Sequence, residues 1–191
     1  MIDLKQTPIE RISPKGIVTG DSEQELDVII YATGFDAMTG ALTSLDIVGR
    51  NGIILRDQWK QGAKSYLGLG VSNFPNLFTI TGPGSPSVLS NMMPSIEQHV
   101  NWIADCIGWM IDNNKNVIES SLSAEEEWMD LVNEIAGMTI FKSTESWYNG
   151  SNIDSKAKAF LPFIGVPVYT EKLEEVTSNN YQGFIFDTSN N

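Results

Sequence analysis

One cysteine, Cys106, occurs in 191 residues, and one histidine, His99. A lone cysteine excludes an intrachain disulfide, and its setting between Ile103 and Ile107 reads as a buried small hydrophobe rather than a nucleophile. Without a His or Cys cluster, no metal site is expected. Basic residues are scarce: 12 Lys and Arg stand against 24 Asp and Glu, a formal charge of −12. Nucleic acids and anionic membranes require clustered cations, so neither is expected as a partner. The apolar runs are too short and too interrupted to span a bilayer. The opening residues, Met1 to Pro8, lack the apolar core of a secretory signal. With no disulfide framework, a cytoplasmic location is the expectation.

What is present suits a folded α/β chain, with 41% hydrophobic residues. Ile9 to Ile12 and Ile17 to Thr19 flank Ser13-Pro14-Lys15-Gly16, and Gly20 to Glu23 makes a second turn, so the start reads as a short β-meander. Leu26 to Ala32 is nearly continuous apolar and β-branched, which predicts a strand buried on both faces. Arg50-Asn51-Gly52 between two apolar runs predicts a β-hairpin. Leu77 to Thr81 predicts a further buried strand that runs into Gly82-Pro83-Gly84.

Three helices follow. Ile96, Val100, Ile103, Ile107 and Met110 or Ile111 form a stripe at helical spacing. Ser123 and Glu126 make a capping box ahead of Trp128, Leu131, Val132 and Ile135. Pro167 opens a third helix that carries Tyr169, Leu173 and Val176. The first thirty residues have no helix to cover them, and the strand at 26–32 lacks neighbours within the chain. Both facts point to a piece of a larger assembly.

Gly82-Pro83-Gly84-Ser85-Pro86-Ser87 is the segment with most chemical content. It joins a strand to a helix, where a dinucleotide fingerprint belongs, yet Ser87 replaces the third glycine and no acidic strand end follows. Two readings remain. In one, backbone N–H groups and the positive helix end face a delocalised anion. In the other, the two prolines simply stiffen a turn that holds no ligand. His99, beside the apolar stripe, reads as a hydrogen-bonded structural histidine rather than a base. The acidic run Glu125-Glu126-Glu127 reads as the favoured first turn of a helix. Tyr66, Trp59, Trp102, Trp109 and Trp128 read as packing residues.

Several segments together resemble a known family. They are Asp27 to Asp36 with its Ala32-Thr33-Gly34, then Thr39 to Leu42, Tyr66-Leu67-Gly68, and Phe74-Pro75-Asn76-Leu77-Phe78. Gly82 to Met92, Ser95 to Val100, and Ser146-Trp147-Tyr148 complete the series. Their order and spacing are similar to the C-terminal portion of type I Baeyer–Villiger monooxygenases of the cyclohexanone and phenylacetone monooxygenase kind, within the flavin-containing monooxygenase superfamily.

The resemblance implies two interleaved dinucleotide-binding domains, for FAD and NADP. Residues 1–35 would be the tail of the NADP domain. Residues 36–191 would be the C-terminal part of the FAD domain, with a control loop at about 142–160. It implies cofactor contacts from Thr33, Gly34, Asn91, Met92 and Trp147, and a substrate pocket bordered by Ser87, Val88 and Leu89. The complete enzyme would use FAD, NADPH and O₂ to insert oxygen into ketones, giving esters or lactones.

The glycine-rich phosphate-binding turns are absent from this chain, as is the Phe-x-Gly-x-x-x-His-x-x-x-Trp signature. The arginine that the family sets beside the flavin lies upstream, so Arg11, Arg50 and Arg56 take no such role and no catalytic residue is assigned. Ile153-Asp154-Ser155-Lys156 departs from the family's loop. The isolated chain is therefore expected to be inactive and to bind no cofactor by itself. The alternative is a non-enzymatic truncated or split-gene module that pairs with an N-terminal half or with itself. N- or S-oxygenation is a third reading.

Overall fold

A computed structural model describes residues 2–4, 6–20, 22–32, 36–86, 91–140 and 165–188. The chain divides into two units, Met1–Phe35 and Asp36–Asn191.

The first unit is a three-stranded antiparallel meander, β1 (Ile9–Ser13), β2 (Gly16–Thr19) and β3 (Ser22–Glu25). The turn between β1 and β2 is tied by the Ser13 hydroxyl, which accepts from the N–H groups of Lys15 and Gly16 at 3.2 and 3.1 Å. Gly16 is required here because a Cβ would lie 1.9 Å from the Gln24 carbonyl oxygen across the ladder. The expected buried strand at 26–32 does not form. Leu26 donates to the Lys15 carbonyl at 3.0 Å, and the ladder then stops. Val28, Ile30 and Tyr31 are exposed, Ile30 to 84%. Among the described residues no strand pairs with this segment, so its β-branched composition has no ladder to join.

The second unit begins with a single turn, α1 (Gly40–Thr43). The expected hairpin shrinks to one bridge, Val48 to Ile54, around Asn51 and Gly52, whose φ values are +54° and +77°. It cannot extend because the chain turns at once into α2 (Leu55–Gln58), which fully buries Leu55. Leu55, Trp59, Ala63, Val71 and Phe74 form a small core there. Residues 62–86 then run without regular structure, and the expected strand at 77–81 is reduced to an isolated bridge between Gly70 and Phe78.

α3 (Met92–Asp112) is capped by the Asn91 side chain, which accepts from the Met93 N–H at 3.1 Å. Its buried residues are Ser95, His99, Trp102, Cys106 and Met110, whereas Val100, Ile107 and Ile111 are 45%, 44% and 70% exposed. The expected stripe therefore lies partly on the outer face. β4 (Val117–Ser120) leads into α4 (Leu122–Gly137). The cap of α4 is Ser121, which accepts from the Ala124 N–H at 3.2 Å, rather than the expected Ser123. α5 (Gly165–Ser178) is followed by β5 (Phe184–Asp187), which pairs antiparallel with β4. That two-stranded sheet was not legible in the sequence.

The main core joins Tyr66, Leu67 and Leu69 to Trp102, Cys106, Trp128, Val132, Tyr169 and Tyr181. Aromatic contacts lock it: Trp109 meets Phe186 at 4.9 Å and Trp102 meets Tyr181 edge-on at 5.2 Å between ring centroids.

Candidate functional site

The loop at 62–86 has only isolated bridges, so its backbone groups are paired by turns and by side chains. Asn76, in the left-handed conformation that suits asparagine, stands in for a strand. Its N–H donates to the Ile118 carbonyl at 2.8 Å and its Oδ1 accepts from the Ile118 N–H at 3.0 Å. Two carboxylates hold the preceding residues. Glu119 accepts from the Asn73 N–H at 2.8 Å and from Arg50. Glu125 accepts from the Ser72 N–H and hydroxyl at 2.8 and 2.9 Å. Glu125 lies in the first turn of α4, as expected; it is 1% exposed, and burial raises its pKa against the Ser72 hydrogen bonds.

The turn at Gly82 to Pro86 is wholly buried. Its carbonyls are consumed inward one after another. That of Gly82 accepts from the Ser85 N–H and hydroxyl at 3.1 and 2.8 Å. The Pro83 carbonyl accepts from the Ser65 hydroxyl, which itself accepts from the Gly68 N–H at 3.0 Å. The Gly84 carbonyl accepts from the Trp128 indole N–H at 3.0 Å. The glycines are forced by close approach. A Cβ on Gly82 would lie 2.4 Å from Thr79 Oγ1, and one on Gly68 would lie 2.5 Å from Ser85 Cβ. Neither space is a cradle for phosphate; both are filled by the chain itself.

Ahead of the turn, Thr81 has φ +51°, a costly conformation for a β-branched residue. Its N–H donates to His99 Nδ1 at 2.9 Å. His99 Nε2 lies 2.9 Å from the Tyr169 hydroxyl, which donates to the Leu67 carbonyl at 2.7 Å. His99 has no solvent exposure, and burial lowers its pKa to about 4. The reading of His99 as a structural, hydrogen-bonded residue is borne out. Burial likewise pushes the Cys106 thiol up to about 12, in keeping with a packed hydrophobe.

Of the expected site residues, Asn91 and Met92 are described and stand side by side at the head of α3, both exposed, with no acid in the first turn. Thr33, Gly34, Ser87, Val88, Leu89 and Trp147 lie outside the described residues. Sequence reasoning missed the scaffold of the turn: Trp128 and Tyr169 read as packing and helix positions, Ser65 carries no signal, and nothing in their spacing announces a donor aimed at a carbonyl.

No protein-family model matches the chain. It is 39% identical over 187 residues to phenazine N-monooxygenase PhzNO1 of Lysobacter antibioticus, covering 97% of this chain and 34% of that protein. It is also 39% identical over 189 residues to a Baeyer–Villiger monooxygenase of Pseudooceanicola batsensis, covering 98% and 34%. A closed crystal structure of cyclohexanone monooxygenase superposes with a TM-score of 0.91 at 38% identity, over 98% of this chain and 35% of that one. A structure of OTEMO in complex with FAD and NADP gives 0.89 at 35% identity, over 97% and 34%. The chain spans about a third of the length of the relatives it matches. Over nearly its whole length the chain matches one segment of Baeyer–Villiger monooxygenases.

Proposed function

We propose that this chain supplies one wall of the active site of an FAD- and NADPH-dependent monooxygenase that inserts oxygen into ketones to give esters or lactones. The observation that carries this reading is the coincidence of two facts. Similarity to such enzymes runs over nearly the whole chain. The same stretch holds a buried, inwardly bonded turn at 82–86, the turn singled out by its sequence alone, with the long helix α3 following it in the chain.

Bound FAD, reduced by NADPH, would supply the activated oxygen. The chain's own residues orient and exclude. Asn91 and Met92 border the pyrimidine end of the flavin, where the positive end of α3, with no acid in its first turn, favours its negative charge. Ser87, Val88 and Leu89 border the ketone. Trp147 closes over NADPH, with its indole N–H as donor, and so keeps water out. Met1–Phe35, with Thr33 and Gly34 at its end, closes the NADP domain, and Asp36–Asn191 completes the FAD domain. The chain alone is inactive, because its sequence carries no Gly-x-Gly-x-x-Gly turn to hold a dinucleotide phosphate.

The test is a chimera in which this chain replaces the matching third of the cyclohexanone monooxygenase. The expected outcome is stoichiometric FAD and ketone-dependent NADPH oxidation, with neither from the 191-residue chain alone. A chimera that holds FAD yet oxidises no ketone overturns the ketone reading. Nitrogen oxidation is the second reading, favoured by the 39% identity to a phenazine N-monooxygenase. Profiling the same chimera with ketones and aromatic N-heterocycles separates the two.

A further inference from the structure

The three hydrogen bonds around His99 admit one proton arrangement. The Thr81 N–H can only donate, so Nδ1 must be the unprotonated acceptor. The Tyr169 hydroxyl spends its single proton on the Leu67 carbonyl, so Nε2 must carry the ring's proton and donate it to the tyrosine oxygen. Every partner is then used once, in a chain that runs from the turn through α3 and α5 to the loop at Leu67. An imidazolium would place an Nδ1–H against the Thr81 N–H, two donors facing each other. Nothing charged faces the ring among the described residues: α5 presents Tyr169, whose own ionisation burial suppresses, and the 67–81 loop presents backbone. Thr81 gains most from this arrangement. It is a β-branched residue in the left-handed region, immediately before Gly82, and the bond from its N–H to the ring opposes its relaxation.

We propose that His99 is the positioning residue of this turn: a neutral Nε2–H imidazole that holds Thr81 in its left-handed conformation and ties the turn, through Tyr169, to the Leu67 loop. Only the bearing of this on oxygenation rests on the proposed function; the assignment itself rests on geometry. His99 is the sole histidine, so ¹⁵N-histidine labelling of the 191-residue chain gives one imidazole to observe, with no flavin needed. The expected spectrum has a pyridine-type Nδ1 and a pyrrole-type Nε2, and the ring stays neutral until the pH nears about 4. The opposite tautomer, or titration near the ordinary value of 6.5, overturns the proposal.

Variants add an independent reading. His99→Ala is expected to speed hydrogen exchange at the Thr81 amide roughly fivefold, the loss of one hydrogen bond. His99→Asn, whose side-chain oxygen can occupy the place of Nδ1, is expected to restore most of that protection. Unchanged exchange in His99→Ala, or no rescue by Asn, counts against the assignment. If His99→Ala does not fold, the wild-type spectrum still decides. A chimera inactive on ketones would leave the spectrum untouched, so the two proposals fail separately.

Discussion

Ser120 is 2% exposed, and its hydroxyl has no hydrogen-bond partner among the described residues. It faces Gly70, where a Cβ would come within 2.4 Å of the oxygen. A buried hydroxyl without a partner costs about 1–3 kcal/mol. Ser120→Ala is therefore expected to raise stability by about 1 kcal/mol, seen as a higher urea midpoint; a lower midpoint would show that the hydroxyl is satisfied. Glu125 gives a second residue-scale prediction. Its folded pKa is raised, so its titration stabilises the fold fully below the ordinary carboxylate range, and that contribution is lost as pH rises through the raised value. Relative to Glu125→Gln, the wild type should gain stability as pH falls into that range. His99 has the opposite sign. Its folded pKa is depressed, so stability present above 6.5 is lost as the pH falls toward about 4. Urea midpoints of the single variants across this window separate the two.

At the scale of elements, the helices were legible because their apolar residues recur at helical spacing over several turns. The phase of α3 was not. It carries apolar residues on two faces, and the buried one is marked by Ser95 and His99 as much as by Trp102, Cys106 and Met110. Periodicity cannot tell which of two apolar faces is covered. The strands at 26–32 and 77–81 were misread for a related reason: composition states what suits a ladder, but not whether a partner lies alongside. β5 announces itself only as Phe-Ile-Phe, and its pairing with β4 depends on residues far away in sequence. The site was legible as a turn, because Gly82 and Gly84 are local signals, whereas its supports come from four separate segments. Gly68→Ala, which drives a Cβ into Ser85 at a φ of +73°, is expected to cost about 1–3 kcal/mol or more, measured by urea denaturation. An unchanged midpoint would mean that the 65–70 loop does not brace the turn.

For the molecule as a whole, each unit leaves apolar surface in water. The first exposes Val28, Ile30 and Tyr31; the second exposes Val100, Ile107 and Ile111 along one side of α3. Exposed rows of this kind serve as association surfaces. Light scattering is expected to find self-association of the isolated chain. Val28→Ser with Ile30→Ser should reduce it without lowering the melting temperature, since neither side chain is buried. A strictly monomeric wild type would refute this. No described helix is long and apolar enough to cross a membrane. The pairing of β4 with β5 has a temporal side as well. Ser120 must wait for Phe184, and Tyr66 waits for the same ring, 5.1 Å away. Contacts so distant in sequence carry a high loop-closure cost and form late. During synthesis the bracing of the turn by α4, through Trp128, can precede this closure, which waits for β5.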